Sequence, residues 1–180
     1  MCCKKELPAP HRRSVNERSH VVSDLAAYHE SGHAIMAIQM GAQVRSITIQ
    51  PDWDDGPERY ADAQIAWPID HFSERELHEK MVLVALAGPV AEMLYRGEPL
   101  HPGFVAEWAA DWKLAWDAAK LLVASDQKRL TYLEQVAGQL YRLFDREDQW
   151  AALAALADNL LAHETLEGEE VEAIVGQWLN

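Results

Sequence analysis

Along the chain, apolar positions fall mostly at the three-and-four spacing of helices, with one short interval of strand-like alternation. A first helix is predicted over residues 23–40. Ser23 is a good N-cap, Asp24 sits in the first turn, and Gly41 provides the stop. Its apolar residues (Leu25, Ala26, Ala34, Ile35, Ile38) cover much of its surface, which predicts a helix in a protected setting. VRSITIQ at 44–50 and ADAQIAW at 61–67 read as strands, separated by the turn-rich PDWDDGPER. A second helix opens with a capping box, Ser73 and Glu76, and runs to Arg96 before Gly97. Gly88-Pro89 inside it predicts a kink or a division into two helices. Helical stretches follow over 105–124, 127–144, 147–163 and 168–179. The fold class is therefore mainly α (α+β), with a small two- or three-stranded sheet. Residues 1–20, polar and with Pro8 and Pro10, read as a disordered tail ahead of one domain over 21–180.

A net charge of −13 changes the list of partners. Nucleic acid and anionic lipid both require basic patches, and the longest basic run, His11-Arg12-Arg13, is too short to outweigh the acidic background. We expect no nucleic-acid partner and no membrane insertion, since the longest apolar run, at 81–91, is far short of the ~20 residues a span needs. The two cysteines, Cys2 and Cys3, are adjacent and terminal, which excludes a disulfide framework and fits a reduced, cytoplasmic protein. Acylation of a cysteine beside Lys4 and Lys5 would need a second membrane signal, and none is visible. No signal-peptide core is visible either.

The candidate chemistry lies in the first helix, where AYHESGHAIMAIQ contains HESGH, an H-E-x-x-H. Random order of 8 His and 29 acidic residues yields that pattern in at most about one chain in twenty, so the motif alone does not decide. The geometry is suggestive nonetheless. His29 and His33, four apart, share one helix face and can aim both imidazoles at one ion. Glu30 lies about 100° round the helix, poorly placed as a ligand but able to reach a metal-bound water as general base. Gly32, a poor helix residue, marks a close approach of something.

A hydrolytic zinc site takes three protein ligands and an open position. Position 39, where a third histidine would extend the motif, is Gln39. The remaining candidates are His71, His78, Glu92, His101, Asp111 and Asp117. Asp111 falls on one stripe with Leu114, Ala115, Ala118 and Leu122, so it is expected on the apolar face of its helix, where a carboxylate needs a cation or strong donors. Asp117 lies on the opposite side, His71 and His101 read as loop residues, and His78 as an exposed helix position.

Taken in order, these pieces resemble the peptidase domain of the FtsH family of membrane-bound AAA metalloproteases. The likeness covers HESGHA and its AYHE lead-in, VRSITIQP, LVALAGPVAEMLYRGE, ADWKLAWDAAKLLV and LLAHETLEGEEVEAIV, spread over residues 21–176. It implies a helical zincin-like metallopeptidase domain, Zn2+ as cofactor, His29, His33 and Asp111 as its ligands, and Glu30 as the catalytic base. It also shows departures. No G-x-x-x-x-G-K-[ST] is present, the transmembrane helices of the family are missing, and its Gly-Arg is Gly88-Pro89. FVAEWAA replaces its small residues ahead of Asp111, placing Trp108, Trp112 and Trp116 at i, i+4, i+8 for packing, or as a lid or partner surface.

The expected function is zinc-dependent endopeptidase action on unfolded or flexible polypeptide, with no intrinsic ATPase. A separate ATPase or regulatory protein is a conceivable partner, and a strand edge could take an extended substrate, with Trp67 lining a subsite. The alternative is a metal-binding, non-proteolytic module that docks to a protein partner, and a third reading leaves His29 packed in a metal-free core.

Overall fold

The computed structural model describes residues 15–50 and 61–179. Cys2, Cys3, the first residues of the expected tail and the turn at 51–60 lie outside them. Among the described residues there are six α-helices and a three-stranded sheet: α1 Val15–Gln39, β1 Gln43–Thr48, β2 Asp62–Ala66, α2 Glu74–Arg96, α3 Ala109–Ala119, α4 Asp126–Phe144, α5 Glu147–His163, β3 Thr165–Glu167 and α6 Gly168–Gly176. This is the mainly helical fold with a small sheet that the pattern predicts. None of the helices among the described residues is long and apolar enough to cross a membrane.

α1 is the centre of the molecule, packed against α2, α5 and the sheet. Every residue from Ser31 to Ala37 is buried, which is why its apolar residues are not confined to one stripe. It begins at Val15 rather than at Ser23. Nothing between those positions is Gly or Pro, so a residue able to cap is carried through inside the helix. Its end follows the expectation. Gly41 is left-handed at φ 82°, Gly41 N–H donates to the Ile38 carbonyl (3.0 Å) and Ala42 N–H to the Ala37 carbonyl (2.9 Å), a Schellman closure.

α2 starts as predicted, with the Ser73 hydroxyl accepting from the Glu76 N–H at 3.3 Å, and ends on Gly97 at φ 69°. It is one helix, not two. Pro89 withholds the N–H that the Ala85 carbonyl would accept, at a usual cost of ~3 kcal/mol. The run from Val84 to Met93 is wholly buried, and packing on both sides of the proline holds the helix together. α3 is shorter than the predicted 105–124 at both ends: the 3-10 turn Ala106–Trp108 precedes it, and it closes after Ala119, whose carbonyl accepts from the N–H groups of Leu122 and Val123. Leu114, placed on the apolar stripe by the sequence, is 61 % exposed. At ~100° per residue it sits about 60° to one side of Asp111, whereas the buried Ala115 and Ala119 lie to the other side and Ala118 within about 20° of Asp111 itself.

The sheet has the order β2-β1-β3 and is antiparallel throughout. β1 and β2 are the predicted strands, with a register shift between Val44 and Ser46. β3 was not legible, since three residues are too short for alternation to register. It exists because Glu164, left-handed at φ 63°, turns the chain directly out of α5 onto β1, pairing Ile47 with Leu166. β1 is therefore paired on both flanks over Ser46–Thr48, and among the described residues only β2 offers an open edge near the N-terminal half.

α6 is seated on β1 so closely that a Cβ at Gly168 would lie 2.1 Å from the Val44 carbonyl oxygen. Gly168→Ala should lower stability by ~1–3 kcal/mol or more, because backbone on both sides must move. Gly138→Ala, in the middle of α4 with only an ordinary 3.6 Å contact to Arg142, should raise it by ~0.5–1 kcal/mol. Urea unfolding of the two variants checks the opposite signs.

Candidate metal centre

Three side chains from two helices converge on one point. α1 supplies His29 and His33 one turn apart, and the first turn of α3 supplies Asp111. One donor atom from each lies within 4.8 Å of the others, a group able to hold a metal ion. His29 Nε2 is 3.1 Å from Asp111 Oδ2 and 3.1 Å from His33 Nε2, while His33 Nε2 is 3.5 Å from Asp111 Oδ1.

The approach of α2 makes this possible. Gly32 faces it with no room for a side chain, since a Cβ there would lie 2.6 Å from the Ala87 carbonyl oxygen and 2.7 Å from the Ala91 Cβ. The close approach that Gly32 predicts is thus the α1–α2 contact. On α2, Val84, Gly88 and Glu92 form an i, i+4, i+8 stripe against the two histidines. His33 Nδ1–H donates to the Val84 carbonyl at 2.7 Å, and a Cβ at Gly88 would fall 2.2 Å from His33 Nε2. His29 Nδ1–H donates to Glu92 Oε2 at 3.0 Å.

Those partners test whether the residues fit a metal. A carbonyl and a carboxylate oxygen can only accept, so each neutral imidazole keeps its proton on Nδ1 and presents the Nε2 lone pair. Two lone pairs and a carboxylate then face one another at 3.1–3.5 Å, an arrangement that calls for a cation between them. Outer partners of this kind are the usual way histidine ligands are aimed. The electrostatics agree. Burial alone would lower the His29 pKa, but hydrogen bonds with Asp111 and Glu92 outweigh it and push it up to about 10. Burial likewise works to raise Asp111, and hydrogen bonds from His29 and His33 hold it far below the carboxylate range instead. A proton or a divalent ion answers the same demand for positive charge. The donor set fits a metal.

Glu30 is 6 % exposed and lies next to the donor cluster without belonging to it. Burial raises its pKa, as do Asp111 and Asp62, while His29 and His33 pull it down. The other candidate ligands are elsewhere. His71 ends an exposed 3-10 turn, His78 Nδ1–H donates to the Glu74 carbonyl at 2.7 Å, and His101 accepts from Gly103 N–H at 3.1 Å. Asp117 is held by Lys113 and Lys120 on the outer face of α3. Glu92 is at the site but is fully engaged by donors. Besides His29, it accepts from Trp108 Nε1–H at 2.6 Å on Oε2, and from Arg96 Nε and Nη2 on Oε1. Hydrogen bonds offset its burial and hold it below the usual carboxylate range. Of the tryptophans, Trp108 is fully buried and bonded to Glu92, whereas Trp112 and Trp116 lie 6.5 Å apart on the flank of α3, with Arg129 over Trp116 at 4.8 Å. Gly88 is a site residue that the sequence marks only as a possible break in α2, because the room it leaves for His33 depends on how α1 and α2 pack.

No family model matches the chain. It is similar to the ATP-dependent zinc metalloprotease FtsH of Acidimicrobium ferrooxidans, with 25 % identity over 201 aligned positions, and the match covers 92 % of this chain. The chain spans about 30 % of that relative's length. A distant likeness to a zinc metalloprotease and a two-histidine, one-aspartate donor group thus coincide in one chain.

Proposed function

We propose that the protein is a zinc-dependent endopeptidase, with His29, His33 and Asp111 as zinc ligands and Glu30 as general base. The observation that carries this reading is the convergence of those three donors within 4.8 Å, with each histidine held through Nδ1. Zinc is preferred over harder ions because two imidazoles and one carboxylate are a donor set that suits it. When bound, zinc supplies Lewis acidity toward the scissile carbonyl and brings the pKa of a water toward ~7. The residues do the remainder. Val84 and Glu92 orient the imidazoles, and Glu30 accepts the proton of the attacking water on its carboxylate and delivers it to the leaving amine. Burial raises the Glu30 pKa above the ordinary carboxylate value, the direction that suits a group which must both take up and release a proton.

The substrate we infer is an extended, unfolded or flexible segment of polypeptide. β2 has one edge on β1 and the other open among the described residues, and Asp62 at its start is near enough to Glu30 to act on its charge. An added strand on that edge would run beside the site. ATP dependence belongs to the relative's name, and this sequence contains no Gly-Lys dipeptide on which a phosphate-binding loop of that type could be built.

Protein purified without chelators or a histidine tag should contain one zinc per chain, and Asp111→Asn or His33→Ala should lose it. Chelation should lower the melting temperature. A ligand at ~1,000 times its Kd stabilises by about 4 kcal/mol, so the shift should be several degrees.

Glu30→Gln should retain zinc and lose casein cleavage by ~10²–10⁴-fold. Equal cleavage by the variant would reject Glu30 as base. A zinc-loaded wild type that cuts neither casein nor a peptide library would instead indicate a docking module.

A further inference from the structure

We propose that Arg96 and Trp108 are positioning residues that clamp Glu92 and, through it, fix both the His29 ring and the start of α3 that carries Asp111. The inference rests on the metal-centre reading above and extends it to two residues that touch no donor atom of the cluster.

Glu92 is a buried carboxylate that accepts four N–H groups, two on each oxygen. A carboxylate offers about four lone-pair directions, so Glu92 keeps none for a metal and serves as a fixed acceptor. Arg96, one turn further along α2, supplies both contacts to Oε1. That leaves Oε2 for His29 Nδ1 at 3.0 Å and Trp108 Nε1 at 2.6 Å. The guanidinium also lies 5.9 Å from the Trp108 ring centroid, so the two clamp residues support each other.

Trp108 does more than fill space. A fully buried indole needs a partner for its N–H, and the acceptor it finds is the oxygen that orients His29. It sits three residues before Asp111 in the turn that opens α3, a helix whose N-cap makes no side-chain capping bond. The bond from Trp108 to Glu92 therefore ties the chain carrying Asp111 to α2, so one carboxylate registers two ligands from different elements.

The test measures zinc dissociation constants by competition with a chromophoric chelator for wild type, Arg96→Gln and Trp108→Phe, alongside the melting temperature of each metal-free protein and the cobalt(II) d–d spectrum. Removing outer partners of metal ligands typically weakens binding ~10–100-fold. We expect at least a tenfold loss in each variant and an altered cobalt spectrum. The metal-free Arg96→Gln protein should lose only part of the stability that an unpaired Glu92 would cost, since the site of substitution is 30 % exposed and the glutamine amide can still donate to Glu92, whereas its loss of zinc affinity should exceed that loss of stability. Unchanged zinc affinity in Arg96→Gln and Trp108→Phe, with wild type binding one zinc, overturns the clamp and leaves the metal centre intact. Affinity losses that appear only with matching losses of metal-free stability in both variants also overturn it, as they would show a purely structural role. A wild type that binds no zinc overturns the metal-centre reading, and the clamp with it.

Discussion

The close contact between α1 and α2 is the constraint on which the other features depend. Two glycines, one on each helix, allow it. Gly32 brings the α2 backbone against α1, and Gly88 leaves the space that the His33 ring occupies. A side chain at either position would separate the helices or displace the imidazole, because close-packed interiors have no slack for an added methyl group. The same contact brings the Val84 carbonyl and Glu92 to the Nδ1 atoms of the two histidines. Helix packing and the orientation of the two imidazoles are therefore one event in this fold.

That contact places polar groups where they are costly. Glu30, His33 and Glu92 are buried, and Asp111 is largely so. Isolated, such groups would oppose folding by several kcal/mol each. Here they are arranged with alternating charge: Arg96 and the Trp108 N–H on Glu92, Glu92 on His29, and His29 and His33 on Asp111. Glu30 is buried next to this network and feels the charges of His29, His33 and Asp111 without belonging to the donor group.

The sheet contributes position rather than bulk. β1 is held between β2 and β3, and α6 rests on it through Gly168, so β1 is a fixed support for the C-terminal end of α1. β2 is one of the two edge strands, and its Asp62 is near enough to Glu30 to act on its charge.

Much of this was legible because it is local. The spacing of His29 and His33, the stop at Gly41, the capping box at Ser73 and the period of α4 and α5 each depend on residues within one or two turns. The sequence determined that a helix would carry two imidazoles on one face with a carboxylate beside them. Among six candidate acids and histidines it pointed to Asp111, through its place on an apolar stripe and through the family resemblance, but the meeting of Asp111 with His29, 82 positions away, is a property of packing. Nor did it show that Glu92 would be filled by four N–H donors, among them those of His29 and Trp108, which come from other elements of the fold. β3 and the exposure of Leu114 were undecided for the same reason. A three-residue strand exists only where a partner strand waits, and a stripe on a helix is buried only where a neighbour lies.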